Sequence, residues 1–520
     1  MKERPCVITV WPSGRELRAT SGDSLYTLLL VAGIIRRDDP ASNRLRLERG
    51  TVSPSTDPAA EAEAFTAAEL TEGWILASCR RIQGDAELMQ GSSVDADPAQ
   101  PLGSGFGLIV AVGTATLGCG LVALGGMEIP MLSACPNSQL RLATDMSERI
   151  AYYNAGPQNA LKMAAFLRND IARMTERLVS YTEIDHSRIT TVTMVGRPPL
   201  LRMLRGMDPL AAEECGHIRR LRAGDMQLQP LPETTDLYLL PAADRDAGSD
   251  TVASVLAAGL LEKVDDERIS ILIDTGISCE VVAVGRGRML CCSVATAPLE
   301  GVGVSCGMQS VSGAVYSVEI SDTVTVHTIH DEAAKGLCGA GLLSAVHQLA
   351  EQEMIGEDGR LRQPEDLPDE LADRFRATAS GMEFVLVRVG QGVARDVARD
   401  VCVNQEDVRK LQLAKGAVRA ACHALLAELD AGVDDIDVIL IAEAYRANIN
   451  TEAALELGLL PPVEKDKVRS IGNADWQGAY LVLTDRDNAE KAERIAGLLT
   501  RLDLAANHVY AAEFIKAMDF

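Results

Sequence analysis

The feature that most constrains the fold is a pair of apolar runs around an Asp-Thr-Gly turn within residues 269–292. The run at 271–273 leads into Asp274, Thr275 and Gly276, and a second run at 281–284 precedes a Gly-Arg-Gly-Arg turn. Two such runs joined by small residues are typical of a β-hairpin, whose tight connection brings backbone N–H groups and a carboxylate together. This arrangement suits an anionic phosphate with its metal ion.

The residue types of the turn fit that chemistry. Gly276 lacks a Cβ and lets backbone approach a ligand closely, Thr275 offers a hydroxyl, and Asp274 can orient a metal-bound water. Asp-Thr-Gly also occurs in aspartic proteases, and an isolated match more often describes an Asp that caps its own turn. A second observation is therefore needed.

A second hairpin of the same kind lies upstream, in residues 107–124, where two apolar runs flank Gly113 and Thr114. Two hairpins, each followed by mixed helix and strand, are similar to the duplicated plan of actin-like ATPases such as sugar kinases, acetate kinase and Hsp70. In that plan one hairpin from each lobe grips the phosphates across a cleft. The fold class we expect is α/β, with an N-terminal β-grasp ferredoxin-like domain followed by a two-lobed actin-like ATPase fold.

Composition narrows the class of partner and the compartment. The 520 residues suffice for three or four domains. A formal net charge of −24 argues against a nucleic-acid partner, because phosphate binding needs a basic surface. Twelve cysteines without paired spacing, and no charged-then-apolar leader, predict a reduced cytoplasmic protein. Residues 101–127 are uncharged and long enough to cross a bilayer, but their glycines predict buried strands and no membrane contact.

The N-terminal pattern is that of a ferredoxin-like domain. Residues 7–11 and 16–19 flank a turn, and 23–33 form an amphipathic helical pattern, which is how a β-grasp domain begins. Residues 69–84 resemble the ferredoxin segment that carries the last cluster cysteine. The Ala/Glu/Pro/Thr-rich residues 51–68 predict a mobile excursion, and residues 90–104 predict a linker.

The cysteines needed for an iron-sulfur cluster are missing. A plant-type cluster takes four thiolates, three of them closely spaced after the helix. Residues 34–50 contain no cysteine, so only Cys79, at the position of the fourth ligand, and Cys6, in the first strand, remain. We predict that no iron-sulfur cluster is bound and that Cys79 is a small buried residue.

Further motifs narrow the resemblance from actin-like ATPases in general to one family. Residues 137–139 (Asn-Ser-Gln) are similar to an Asn-Pro-Gln motif, and 145–150 (DMSERI) to Asp-Val-x-x-Arg-Ile, which aligns Asn137, Gln139, Asp145 and Arg149. Residues 335–342 (KGLCGAGL) and the helical pattern of 404–430 also match in order. Over nearly all its length the chain resembles the reductive activators of corrinoid-dependent enzymes, which use ATP to reduce an inactivated corrinoid protein from Co(II) to Co(I).

The resemblance implies domains, cofactors and partners. The expected ranges are a ferredoxin-like domain at 1–90, a linker at 91–104, a first lobe at 105–247, and a second lobe at 248–520 whose C-terminal helix returns to the first. ATP and Mg²⁺ are the implied cofactors, and a corrinoid protein or corrinoid methyltransferase system the implied partner, with an external electron donor and a possible homodimer. The implied catalytic residue is Asp274, and the implied nucleotide-binding residues are Gly113, Thr114, Thr275, Gly276, Glu280, Gly301, Gly339, Gly341, Gly472 and Asn473.

Several positions depart from the family pattern. Ala111 stands where the first hairpin should carry an acid for Mg²⁺. Glu443 and Ala444 replace two adenosine-contacting glycines, and Asp475 and Trp476 replace small residues.

Two functions remain open. The chain is a divergent ATP-dependent reductive activator supplied by an external donor, or a non-catalytic paralogue that binds and regulates a corrinoid protein or an active activator. A small-molecule kinase on the same plan is disfavoured by the ferredoxin-like domain. Seven histidines without ligand spacing predict no metal site.

Overall fold

The computed structural model divides into two compact units. Unit 1 comprises Met1–Glu262 and Ile471–Leu499, and unit 2 comprises Lys263–Ser470 and Thr500–Phe520. The four domain ranges expected from the sequence remain a prediction. The residues that the structure describes are 6–11, 15–19, 21–31, 44–64, 70, 74–90, 105–124, 131–182, 184–211, 215–244, 247–329, 332–363, 369–378, 381–389, 400–442 and 449–520.

The first part of unit 1 is the predicted β-grasp arrangement. An antiparallel hairpin, β1 with β2, is followed by a helix, and β1 also pairs in parallel with β5 in the middle of a five-stranded sheet ordered β2-β1-β5-β3-β4. Apolar side chains alternate along these strands and face α1, so the sheet has one buried face. The elements are β1 (Cys6–Trp11), β2 (Arg15–Ala19), α1 (Leu25–Val31), β3 (Arg44–Val52), α2 (Pro58–Ala64), β4 (Trp74–Leu76) and β5 (Ile82–Gln90).

The mobile excursion expected at 51–68 is wrong where the structure describes it, because that stretch contains α2. Glu61 of α2 is 3% exposed and accepts hydrogen bonds from Leu76 N at 2.9 Å and Arg80 Nε at 3.0 Å. A buried carboxylate held by a guanidinium fixes the helix against the sheet. The composition suggested a loop because the partner, Arg80, is distant in sequence.

Cys79 is buried, as expected. It ends a short 3₁₀ turn, Ala77–Cys79, and burial raises the pKa of its thiol to about 11. Cys6 lies in the same core. The loop that carries three ligands in cluster-binding ferredoxins falls mostly on residues 32–43, which lie outside the described residues.

The rest of unit 1 is built on a six-stranded sheet ordered β10-β11-β9-β6-β7-β8. Strands β6, β7 and β8 form an antiparallel meander, and β9 pairs in parallel with β6. The uncharged segment thus forms strands β6 and β7, as predicted. The elements are β6 (Gly105–Val112), β7 (Thr116–Leu124), β8 (Met131–Pro136), α3 (Met146–Asn154), α4 (Pro157–Thr182), β9 (Ile189–Gly196), α5 (Pro198–Arg205), β10 (Arg219–Arg222), α6 (Ala223–Met226), β11 (Asp236–Leu239) and α7 (Ser249–Ala257).

Unit 2 repeats the same plan. Its sheet is ordered β22-β21-β12-β13-β14-β23, with β12, β13 and β14 in an antiparallel meander and β21 parallel to β12. Two three-stranded sheets, β16-β15-β17 and β18-β19-β20, complete it. The first elements are β12 (Ile269–Asp274), β13 (Ser278–Gly285), β14 (Arg288–Ala295), β15 (Ala314–Ile320), β16 (Val324–Thr328), β17 (Gly336–Leu337), α8 (Gly339–Glu351), α9 (Asp369–Ala372), β18 (Phe375–Thr378), β19 (Gly381–Val387) and β20 (Val401–Asn404).

The remaining elements begin with the long helix predicted at 404–430. Asn404 accepts a hydrogen bond from Asp407 N, and the Asp407 side chain accepts one from Asn404 N, which is a reciprocal capping box. The elements are α10 (Gln405–Glu428), β21 (Ile436–Ala442), α11 (Thr451–Glu456), β22 (Val468–Gly472), α12 (Ala474–Thr484), α13 (Asp487–Leu498), β23 (Leu499–Arg501) and α14 (His508–Lys516). Of these, α12 and α13 belong to unit 1.

The duplicated sheet plan predicted from the two hairpins is therefore present. In each large sheet a meander of three strands is extended by a parallel strand beside its first member. Among the helices in the described part of the chain, none has both the length and the apolar character needed to cross a membrane.

Candidate functional site

The Asp-Thr-Gly turn lies at the end of β12 in unit 2. Asp274 is the last residue of β12 and stands opposite Glu280 of β13 in the antiparallel register. Glu280 is buried and accepts a hydrogen bond from Ser293 Oγ at 2.9 Å, whereas Asp274 is partly exposed. The hairpin thus brings two of the predicted site carboxylates to one end of the sheet, with one carboxylate buried and the other at the surface.

Hydrogen bonds on both sides fix the turn. Thr275 donates its N–H and its hydroxyl to the carbonyl of Ala442, at 3.0 and 3.1 Å. Thr296 Oγ1 donates to the carbonyl of Gly276 at 2.7 Å. In this structure the Thr275 hydroxyl therefore stabilises the turn against the end of β21, and its role as a phosphate ligand stays a prediction.

Three predicted nucleotide-binding glycines have a packing reason of their own. A Cβ at Gly339 would lie 1.7 Å from the Leu299 carbonyl oxygen, and one at Gly341 would lie 2.0 Å from that of Val315. Gly301 has a φ of +68°, and a Cβ there would lie 2.2 Å from the Met308 carbonyl oxygen. Gly339 and Gly341 let the first turn of α8 pack against backbone, Gly301 lets the chain after β14 pack against the carbonyl of Met308, and all three are buried.

The other turn predicted to bind phosphate lies in unit 1 between β6 and β7. Gly113 and Thr114 are partly exposed, and a Cβ at Gly113 would lie 2.4 Å from the Thr116 carbonyl oxygen, so the turn requires glycine. Asn137, which is 1% exposed, donates from Nδ2 to the Gly113 carbonyl at 2.9 Å and from its backbone N to that of Ala115 at 2.8 Å. The motif Asn137-Ser138-Gln139 thus holds the hairpin tip.

The motif at residues 145–150 of unit 1 places a guanidinium in the core. Asp145 caps α3 by accepting from Glu148 N at 2.8 Å, and Arg149 is fully buried and donates from Nε to the Ala143 carbonyl at 3.2 Å. Burial lowers the pKa of Arg149 to about 10. Both residues support the segment that follows the hairpin.

Gly472 and Asn473 lie at the start of α12, in unit 1. Gly472 has a φ of +67°, and a Cβ there would lie 2.4 Å from Thr27 Oγ1 of α1, so this glycine allows the N-terminal domain to pack closely. Trp476 is buried, and a Cβ at Gly120 of β7 would lie 2.3 Å from its ring. Trp476 therefore fills space left by a strand glycine. Glu443 and Ala444 lie outside the described residues.

One carboxylate at a strand end was not singled out from the sequence. Asp250 is the second residue of α7, and its Oδ2 lies 3.9 Å from Arg197 Nε, in the turn after β9. Its Oδ1 is enclosed and has no hydrogen-bond partner among the described residues. Burial raises the pKa of this carboxyl, and Arg197 and nearby backbone N–H groups oppose that rise. The available signal was the run Gly-Ser-Asp-Thr immediately before a helix.

The donor set fits Mg·ATP in its chemistry. Mg²⁺ prefers carboxylate and other oxygen ligands, and each duplicated hairpin ends in a narrow turn at which backbone lies partly exposed. Asp274 supplies such a carboxylate in unit 2, while Ala111 does not in unit 1.

Another potential ligand group lies in unit 2. Among the described residues, His347, Glu351 and Glu456 place one ligand atom each within 4.8 Å of one another. His347 Nε2 lies 2.5 Å from Glu456 Oε2, so the imidazole is engaged by that carboxylate. The sequence-based prediction of no metal site stays a prediction.

Comparison with known protein families gives two matches in chain order. A model described as the RACo middle region matches residues 106–263, and a model described as the C-terminal domain of RACo, the ASKHA domain, matches residues 268–520. ASKHA denotes the actin-like ATPase fold, so these matches confirm the predicted fold class.

Individual relatives are similar but distant. The corrinoid activation enzyme RamQ of Eubacterium limosum is 27% identical over 389 residues, which are 73% of this chain and 64% of RamQ. The Co(II) methylated amine-specific corrinoid protein reductase of Methanosarcina barkeri is 22% identical over 368 residues, covering 64% of this chain and 62% of that protein. The chain thus spans less than two thirds of the length of these curated relatives.

A solved structure extends the fold comparison to the whole chain. The reductive activator for corrinoid,iron-sulfur protein superposes with a TM-score of 0.74 at 19% identity, covering 99% of this chain and 98% of the other. At this identity the likeness shows a shared fold.

Proposed function

Because the chain belongs to the RACo family of reductive activators of corrinoid proteins, we propose that it is an ATP-dependent activator that promotes reduction of a protein-bound corrinoid from Co(II) to Co(I). The observation that carries this proposal is the duplicated hairpin plan with Asp274 at the end of β12. The partner we propose is the corrinoid protein of a methyltransferase system.

Within unit 2, the residues of the turn have separate tasks. Thr275 ties the turn to the end of β21, and Thr296 ties it to the segment after β14. These bonds hold Asp274 in position at the surface, where its carboxylate orients a metal ion or an attacking water. When bound, Mg·ATP supplies a polyphosphate, and its hydrolysis drives a change in the conformation of the activator.

Within unit 1, Gly113 and Thr114 present the narrow turn that holds phosphate. Asn137 keeps that turn in place through two hydrogen bonds to its backbone. Oriented backbone dipoles in such a turn attract an anion without moving when it binds.

The electrons come from outside the chain in this proposal. Cys6 and Cys79 are buried in the N-terminal domain, and burial raises the pKa of Cys79 to about 11, which keeps it a thiol at neutral pH. Neither thiol is suited to ligate a cluster in this state. An external reductant therefore delivers the electron while ATP drives the change in conformation.

A second candidate function is a non-catalytic paralogue that binds and regulates a corrinoid protein or an active activator. Ala111 favours it, because the first hairpin lacks its metal-binding acid. The hydroxyl of Thr275 also favours the non-catalytic paralogue. It already donates to the carbonyl of Ala442, so a phosphate would have to compete with that carbonyl for the hydroxyl.

The experiment is an anaerobic absorbance assay. A purified methyltransferase corrinoid protein held as Co(II) is mixed with the chain, titanium(III) citrate and Mg·ATP, and the Co(I) spectrum is followed. The proposal expects Co(I) to form only when both ATP and the chain are present, and to be lost in Asp274→Ala. Complex formation without any ATP-dependent Co(I) would overturn it in favour of the regulatory paralogue.

A further inference from the structure

We propose that His347, Glu351 and Glu456 of unit 2 form a binding site for one divalent transition-metal ion of the Zn²⁺ class. A metal ion bound there joins the end of α8 to the end of α11. The site uses no residue of either turn predicted to bind phosphate, so it is independent of the proposed function.

Two of the three ligands lie on one face of α8. His347 and Glu351 are four residues apart, and residues at this spacing lie above one another on a helix. His347 Nδ1 lies 3.9 Å from Glu351 Oε2. The same spacing places two zinc-binding histidines on one helix in metalloproteases. One turn of α8 therefore offers an imidazole and a carboxylate to the same ion.

The third ligand comes from α11, 109 residues further along the chain. Asn450 fixes the start of α11 by accepting from Glu452 N at 2.9 Å and from Ala453 N at 3.2 Å. At the other end of this helix, Glu456 Oε2 lies 2.5 Å from His347 Nε2. One ligand atom of each of the three residues lies within 4.8 Å of the other two. The histidine spacing alone did not reveal this group, because two of its members are glutamates.

The charges of the group favour a cation. In the part of the chain that the structure describes, neither Glu351 nor Glu456 pairs with a lysine or an arginine, so both carboxylates share His347. Even a protonated imidazole leaves the group with an excess of negative charge. Two carboxylates this close repel one another, and a divalent cation between them neutralises both.

The surrounding structure holds two of the ligands in place. The side chain of His347 is only 9% exposed, and a buried polar ring needs partners for its nitrogens. Gln348 Nε2 donates to the Glu351 carboxylate, while Gln348 Oε1 accepts from Ile320 N of β15 at 2.9 Å. Supporting hydrogen bonds of this kind orient metal ligands and raise the affinity of a site.

The ligand types select the metal. Zn²⁺ binds imidazole nitrogen and carboxylate oxygen at about 2.0–2.2 Å, so ligand atoms around a tetrahedral ion lie about 3.3 Å apart. A metal on His347 Nε2 replaces the hydrogen bond to Glu456, and the two atoms separate by roughly 0.8 Å. The side chain of Glu456 is 55% exposed and has room for this movement. Three protein ligands leave the fourth position to water.

The test is calorimetric titration of Zn²⁺ into the full chain, after treatment with EDTA and removal of the chelator. We expect one ion per chain at about micromolar affinity, and an affinity at least about tenfold weaker in His347→Ala and in Glu456→Gln, because each variant loses a ligand. Excess Zn²⁺ should raise the melting temperature of the wild type and leave that of Glu456→Gln unchanged.

A second titration, with Co²⁺, separates this site from the cysteines of the chain. Nitrogen and oxygen ligands give visible d–d bands, whereas cobalt bound to thiolate adds a strong band in the near ultraviolet. We expect the d–d bands alone in the wild type, and their loss in His347→Ala.

His327→Ala is the matched control. His327 Nε2 lies 3.4 Å from Glu319 Oε1 in the same unit, but this pair belongs to no group of three possible ligands among the described residues. The control should bind Zn²⁺ like the wild type.

Three results would overturn the inference: no micromolar Zn²⁺ binding by the wild type, wild-type affinity in His347→Ala or Glu456→Gln, or a thiolate band with Co²⁺. Should His347→Ala not fold, as judged by circular dichroism, Glu456→Gln decides, because its exposed amide oxygen still accepts a hydrogen bond from the imidazole.

Discussion

Asp250 makes the stability of unit 1 depend on pH in a defined direction. Because burial raises its pKa in the folded chain, the folded state binds a proton more readily than the unfolded state, and this contribution to stability is lost as pH rises through the folded pKa. Asp250→Asn should therefore raise the melting temperature at neutral pH, with a gain that vanishes in acid, where the wild-type carboxyl is neutral. Thermal melts of both proteins across this range check it. A gain that is constant with pH would contradict it.

Replacing Gly339 tests whether this glycine is needed for packing of the fold in addition to its predicted contact with nucleotide. A methyl group there would overlap the Leu299 carbonyl oxygen, so Gly339→Ala should lower the free energy of unfolding by about 3 kcal/mol without any nucleotide present. Denaturant unfolding of the isolated protein measures this change. Gly432→Ala is the control, because a Cβ at Gly432 meets nothing within 4 Å and its φ is −115°. Equal stability of the two variants would refute the packing role.

At the scale of elements, α10 carries a buried amine that joins it to the C-terminal residues. Lys415 is fully buried, donates from Nζ to the Ala517 carbonyl at 2.8 Å and to that of Asp519, and lies 4.9 Å from the Phe520 ring centroid. Burial lowers its pKa from the ordinary 10.5 to about 8. Above pH 8 the folded chain thus sheds a proton that the unfolded chain keeps.

Lys415 therefore makes the free energy of unfolding rise with pH between about 8 and 10.5. In Lys415→Met that part of the rise should disappear, so the free energy of unfolding of the variant relative to wild type should fall progressively over this window. Denaturant titrations at several pH values measure it. Lys410→Met, on the same helix but partly exposed, should keep the wild-type slope. A Lys415→Met slope equal to that of wild type would be the contrary result.

The elements that the sequence predicted well are those whose pattern is local. Both hairpins and α10 follow from apolar runs, turn residues and the Asn404 and Asp407 cap, all within a few positions of one another. Helix α2 was missed because its stability depends on Arg80, far along the chain. The sequence shows Trp476 only as a replacement of a small residue, because the space that its ring fills is left by Gly120, on a strand of distant sequence.

At the scale of the whole molecule, the duplicated sheet plan could be predicted from the sequence, and the family comparisons confirm the fold class. The candidate site could be predicted only in part. The two turns followed from their glycines and from Asp274, whereas Asp250 reaches its strand end through the register of β6 with β9 and the bonds of Ser249 to Gly196. A local sequence pattern does not predict which distant strands pair or in which register.

The measurement that tests the central claim most directly is calorimetric binding of Mg·ATP to the full chain, beside Asp274→Ala. Asp322→Ala, an exposed acid elsewhere in unit 2, is the control. We expect micromolar binding by the wild type and the control, and its loss in Asp274→Ala, because the carboxylate at the end of β12 holds the metal or its water. Absence of binding by the wild type, or equal binding by Asp274→Ala, would contradict an ATP-dependent activator built on this turn.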